Sequence, residues 1–197
     1  MGPTVKTLRM AIAAVSFIAL TACGSSTSSD TTIASTPAGA DVASFNDDDA
    51  MFAQMMIPHH EQAIEMADMA LDPTVGASSA IVALATQIKG AQDPEIAQMT
   101  SFLTTWGRPL VPDDDDMDHS TMMSGMLSLE DLDTLRSLKG PAFDKAWTEG
   151  MIAHHEGAID MAQDVLKDGV NPEARSLAQG IIDGQTAEIT TLRNLLK

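Results

Sequence analysis

Four of the five histidines stand as two adjacent pairs, His59-His60 and His154-His155, and each pair is bracketed by methionine. Met56 and Met66 flank the first, Met151 and Met161 the second, within FAQMMIPHHEQAIEMA (52–67) and WTEGMIAHHEGAIDMA (147–162), which align without a gap. Imidazole and thioether together suit Cu(I), and Cu(II) is reachable through imidazole and carboxylate. They suit Mg²⁺ or Ca²⁺ poorly, and one cysteine cannot build a thiolate zinc site. Met56 and His60 are one helical turn apart, as are Met151 and His155, so each helix offers two donors to one ion.

A second group of soft donors lies between the copies. Met117, His119, Met122, Met123 and Met126 crowd beside Asp113–Asp116 and Asp118 in a stretch with no hydrophobic period. Methionines in a loop have no core to fill, so these five are loop ligand candidates. The competing reading of the paired segments is packing. A methionine stripe at helical spacing commonly fills a core, and a histidine on an apolar face is commonly a hydrogen-bonded core residue. Glu95 and Glu188 are the carboxylates that would accept from such histidines, whether they hold the core or orient ligands.

The elements that must position these residues read as helices. At about 100° per residue Met56, His59, His60, Ala63, Met66 and Ala67 share one face, with Glu61, Glu65 and Asp68 opposite. The first helix begins near Asp47 and stops before Pro73, with Pro58 removing one backbone bond directly before His59. A second covers 77–106, where Asp93-Pro94 marks a kink or a fresh start. A short helix opens at Ser128, with Asp131 completing a capping box, and ends at Gly140; a third long helix runs from Pro141 to about Lys167, and a fourth from Asn171-Pro172 almost to Lys197.

Leu84, Ile88, Gln92, Glu95 and Ile96 correspond to Leu177, Ile181, Gln185, Glu188 and Ile189 at constant offset, so the repeat extends over two hairpins, 47–106 and 141–197, joined by a Met/Asp-rich loop at 109–127. Two hairpins that cannot bury their apolar faces alone pair most simply into an all-α four-helix bundle, with a short extra helix in the central connection.

Residues 1–22 carry Lys6 and Arg9, then an apolar run, and read as a signal peptide too short to span a membrane. Small residues before Cys23 resemble a lipobox, making Cys23 the lipidated mature N-terminus, followed by a Ser/Thr/Gly/Ala-rich tether to residue 44 and the bundle domain over 45–197. The expected location is the bacterial cell envelope, on the extracytoplasmic side of the membrane, with the lipid anchor as the only membrane contact. Removal of the leader takes the formal net charge from −17 to about −19, a sign that excludes nucleic acid as a partner.

These paired motifs, with Gln-x-x-Glu-Ile after each, resemble the family catalogued as domain of unknown function 305. The resemblance covers about 45–197 and implies a ferritin-like four-helix bundle, commonly secreted or lipid-anchored in bacteria, some members of which bind copper. It marks His59, His60, His154, His155, Met56, Met66, Met151, Met161, Gln92, Glu95, Gln185 and Glu188. A ferritin-like di-iron oxidase needs Glu-x-x-His on two helices, and no histidine here has Glu three residues before it. Phosphate loops and nucleophile elbows are missing too. The expected function is therefore extracytoplasmic copper binding, buffering or tolerance; a non-catalytic envelope interaction module with structural histidines comes second and a metal oxidase third. A protein that takes delivery of the metal is an open possibility.

Overall fold

The computed structural model describes residues 43–112 and 123–197. The signal peptide, Cys23 and nearly all of the tether lie outside the described residues, as do Met117, His119 and Met122. Five helices follow in order: α1 (Asp47–Leu71), α2 (Ser79–Trp106), α3 (Leu129–Ser137), α4 (Gly140–Asp168) and α5 (Pro172–Leu195). None of the described helices is long and apolar enough to cross a membrane.

Local chemistry accounts for most boundaries. Asn46 caps α1 by accepting from the Asp49 N–H, the Asp49 carboxylate answers by accepting from the Asn46 N–H, and Asp47–Asp49 occupy the positive end. Helix α2 starts on Ser78 and ends at Gly107, whose φ of 64° is the left-handed conformation glycine adopts freely. Asn171 caps α5 by accepting from Glu173 and Ala174 N–H groups.

One boundary departs from the sequence expectation, and at Asp93-Pro94 the fresh start falls away. Helix α2 continues without interruption through Pro94. The hydrogen bond that proline withholds would have gone to the Gly90 carbonyl, and both residues are exposed, so water can serve that carbonyl. Helix α3 stops at Ser137, short of Gly140, because Leu138 turns extended and the Gly140 N–H donates instead to the Val75 carbonyl in the α1–α2 turn, 2.9 Å away.

Helix α1 packs most extensively on α2 and α4 on α5, and the two hairpins meet chiefly along α1 and α4. The core divides into two apolar clusters. One joins the C-terminal half of α1 (Ala63, Met66, Ala67) to the N-terminal halves of α2 (Ile81, Ile88) and α4 (Phe143, Trp147, Met151). The other joins the N-terminal half of α1 (Phe52, Met56) to the C-terminal parts of α2 (Met99, Leu103) and α4 (Ala158, Val165) and the start of α5 (Ala178, Ile181). Neighbouring long helices are thus antiparallel, and His59, His60, His154 and His155 fall between the two clusters.

One buried charge fastens the second of these ends. Asp49 is fully buried, and besides capping α1 its carboxylate accepts from the Val170 and Asn171 N–H groups, 3.1 and 3.0 Å away, in the α4–α5 turn. Asp49→Ala removes three backbone hydrogen bonds at once. It is expected to lower stability by about 2–3 kcal/mol in urea unfolding; a loss below about 0.5 kcal/mol would show that the turn holds itself.

Candidate metal centre

The four histidines are all fully buried, as the helical projection requires, and they meet where α1 crosses α4. The rings of His59 and His154 lie 3.8 Å apart between centroids, tilted by 43°, and the ring of His155 lies 6.4 Å from that of His154. The outer two are held from their own hairpins. His60 Nε2–H donates to Glu95 Oε2 at 2.8 Å, and His155 Nε2–H donates to Glu188 Oε2 at 2.9 Å. Glu188 is itself nearly buried and also accepts from Gln87 Nε2 at 3.1 Å.

An oxygen acceptor at Nε2 fixes the tautomer, since in a neutral ring the proton must then sit on Nε2 and the lone pair on Nδ1. His59 has the same polarity: its Nε2–H donates to the backbone carbonyl of Ser124, 3.1 Å away. The Nδ1 atoms of His59, His60 and His155 have no protein partner, and neither nitrogen of His154 makes a well-formed hydrogen bond, the backbone of His59 near it only weakly opposing the effect of burial. Burial is the largest influence on the two central rings. It pulls the His59 pKa down to about 4 and that of His154 well below the usual imidazole range, neighbouring histidines adding to the effect. Both rings are neutral at pH 7 and ready to donate to a cation.

Gln92 and Gln185 complete the layer, and their buried amides were not identified as such from the sequence. They stand one turn before Glu95 and Glu188, and neither amide nitrogen nor oxygen finds a partner within the protein. Of the ten buried side-chain polar atoms without a partner among the described residues, nine belong to these four histidines and two glutamines. Left unsatisfied at about 1–3 kcal/mol each they would cost roughly 10–25 kcal/mol, more than a domain's usual net stability of about 5–15 kcal/mol. A layer of imidazole lone pairs and amide groups is chemically matched to a cation and its hydration.

The methionines divide. Met56, Met66 and Met151 are fully buried, Met56 in one apolar cluster and Met66 with Met151 in the other, so thioethers approach the histidine layer from both sides. Met161 instead lines a surface groove of about 340 Å³ with Met51, Met55 and Asp164. Met123 and Met126 are half-buried at the start of the segment that crosses the histidines. Among the described residues no three His, Cys, Asp or Glu side chains form a ready ligand group.

Fold and site together define an all-α bundle protein with an imidazole layer buried between two hairpins. The chain belongs to the family described as Domain of unknown function (DUF305), which matches residues 49–196. Among solved structures it is similar to a DUF305 protein from Streptomyces coelicolor, at 29% identity and a TM-score of 0.70, over 76% of this chain and 91% of that one. A DUF305 fragment from Deinococcus radiodurans matches at 30% identity and a TM-score of 0.68, over 77% and 96%. CopM in its Cu(II)-bound form matches at 33% identity and a TM-score of 0.63, over 75% and 94%, and CopM is also described in Cu(I)-bound and Ag-bound forms. No curated protein matches the chain.

Proposed function

We propose that the protein binds copper in the layer between its hairpins, buffering the ion on the extracytoplasmic side of a bacterial membrane. His59 and His154 are the central ligands, with His60, His155 and the thioethers of Met56 and Met151 in reach by helical spacing and Met66 two turns along the axis. Glu95 and Glu188 orient the outer imidazoles. Met161 and the 117–126 loop, which carries Met117, His119, Met122, Met123 and Met126, serve as outer donors that pass the ion inward. Residues 1–22 act as a lipoprotein leader, Cys23 as the lipid attachment point, and the following segment as the tether.

The observation that carries this reading is the concentration of nine unpartnered polar atoms in a single buried layer of His and Gln. The similarity to CopM, with its Cu(I), Cu(II) and Ag forms, supports the choice of ion. The second reading, an interaction module held by structural histidines, draws on His60–Glu95 and His155–Glu188, which are satisfied without any ion. It leaves His154 without a role.

The two readings separate in a retention experiment. Protein loaded with Cu(I) under reductant and then desalted is expected to keep copper, and His59→Ala/His154→Ala to lose most of it. A folded variant with all four bundle histidines replaced that retains the full copper content would end the bundle-site reading.

A further inference from the structure

The two copies of the histidine motif differ at one informative place. Two residues after each pair stands Gln62 in α1 but Gly157 in α4. Both meet the same stretch of chain, Ser124–Leu127, which leads from the loop into α3. The Gln62 side chain reads the backbone of Leu127 in both directions: Nε2 donates to the Leu127 carbonyl at 2.9 Å, and Oε1 accepts from the Leu127 N–H at 2.8 Å. On the other helix, the space that a Cβ on Gly157 would fill is taken by the Ser124 carbonyl group. Gly125 follows with φ 82°, a conformation that lets its backbone lie against Ala153 and His154, where a Cβ would collide with the Ala153 carbonyl. One helix supplies a bidentate amide and its counterpart supplies room.

We propose that Ser124–Leu127 is a strap that Gln62 and Gly157 hold across the histidine layer, where its Ser124 carbonyl fixes the tautomer of His59. Gln62 is then a positioning residue, acting through the strap on a ring that it does not hold itself. The carbonyl only accepts, so the His59 Nε2 must keep its proton and Nδ1 becomes the sole nitrogen offered to an ion. His154, its ring tilted by 43° against that of His59, makes no comparable hydrogen bond through either nitrogen. The two central imidazoles, related by the repeat, are thereby made chemically unequal: one is directional and one adapts. The cargo side of this inference rests on the metal reading above; the tautomer side does not.

The test uses the full chain, metal-free, with ¹⁵N-labelled histidine, and reads tautomers from long-range ¹H–¹⁵N correlations. In the unaltered protein His59 is expected as the Nε2–H form. Gln62→Leu, which keeps the volume but not the amide, is expected to bring His59 into a mixture of tautomers and to weaken Ag(I) binding about 10–100-fold, the usual scale for lost ligand orientation. Gly157→Ala attacks the strap from the other helix with Gln62 intact, and should give the same spectral change; circular dichroism establishes that each variant is folded. An Nδ1–H form in the unaltered protein, or an unchanged Nε2–H form in both folded variants, would overturn the proposal. A changed tautomer with unchanged silver affinity would overturn the strap's service to the metal. Failure of the unaltered protein to bind silver would count against the metal reading alone, with the tautomer result still deciding the strap.

Discussion

Acidification from pH 6.5 to about 4 is expected to take about 3 kcal/mol from the metal-free fold through His59 alone, with a further loss through His154. The direction follows from the sign of the shift. Above the ordinary imidazole value of about 6.5 both the native and the unfolded chain hold His59 neutral, and it contributes no pH dependence. As the pH falls below that value the unfolded chain binds a proton that the buried native ring refuses, so protonation favours unfolding. The decline levels off only near pH 4, where the native ring also charges. Urea-unfolding midpoints between pH 7 and 4 measure it, compared with His59→Gln/His154→Gln. Carboxylate titration is common to both proteins, so the difference between the curves isolates the two imidazoles. Parallel curves would mean that the layer admits enough water to charge the rings freely. The same low pKa keeps the His59 lone pair available far below neutrality, so protons begin to compete for it only toward pH 4.

Truncating Trp147 to alanine is expected to cost about 3–5 kcal/mol, which can exhaust the stability of a domain this size. The indole is fully buried in the cluster with Phe143, Met66 and Met151, and its Nε1–H donates to the Met66 carbonyl of α1, 2.9 Å away. It therefore joins the hairpins by packing and by one directional bond. Trp147→Phe separates the contributions, keeping most of the apolar volume and losing the donor, with an expected loss of about 1–2 kcal/mol. Both are read from urea unfolding. A loss below about 1 kcal/mol for Trp147→Ala would place the union of the hairpins elsewhere.

Much of this architecture is legible in the chain. The caps at Asn171 and Ser128 and the stop before Pro73 are local chemistry, and they fix helix ends to within a few residues. That His59, His60, His154 and His155 lie inside follows from the 3.6-residue period, and the carboxylates opposite His60 and His155 follow from where Glu95 and Glu188 fall on the returning helices. What escapes is whatever depends on packing between distant segments. Whether Pro94 breaks a helix depends on whether Gly90 is wet. Gln62 and Gly157 look like ordinary variation between copies until the strap lies over them. Met161 shares the spacing of Met66 yet lines a groove and is only partly buried, whereas Met66 is enclosed by Trp147, Met151 and Leu127. The unpartnered amides of Gln92 and Gln185 carry a signal in the sequence, a polar residue recurring on the apolar side of both returning helices, but nothing in that signal says the amides go unanswered.

The placement of the polar layer between two apolar clusters has a mechanical meaning. Alanine and methionine recur along both hairpins, and such small or adaptable contacts alone discriminate weakly between neighbouring registers, so Trp147 and the polar layer supply the discrimination. A slip of one turn, about 5.4 Å, would separate the rings of His59 and His154 and press their nitrogens into hydrocarbon, as a buried asparagine penalises misalignment in a coiled coil. The layer is thus the vernier of the bundle, setting the axial alignment of one hairpin on the other. An ion bound there would reinforce an alignment that the layer already sets.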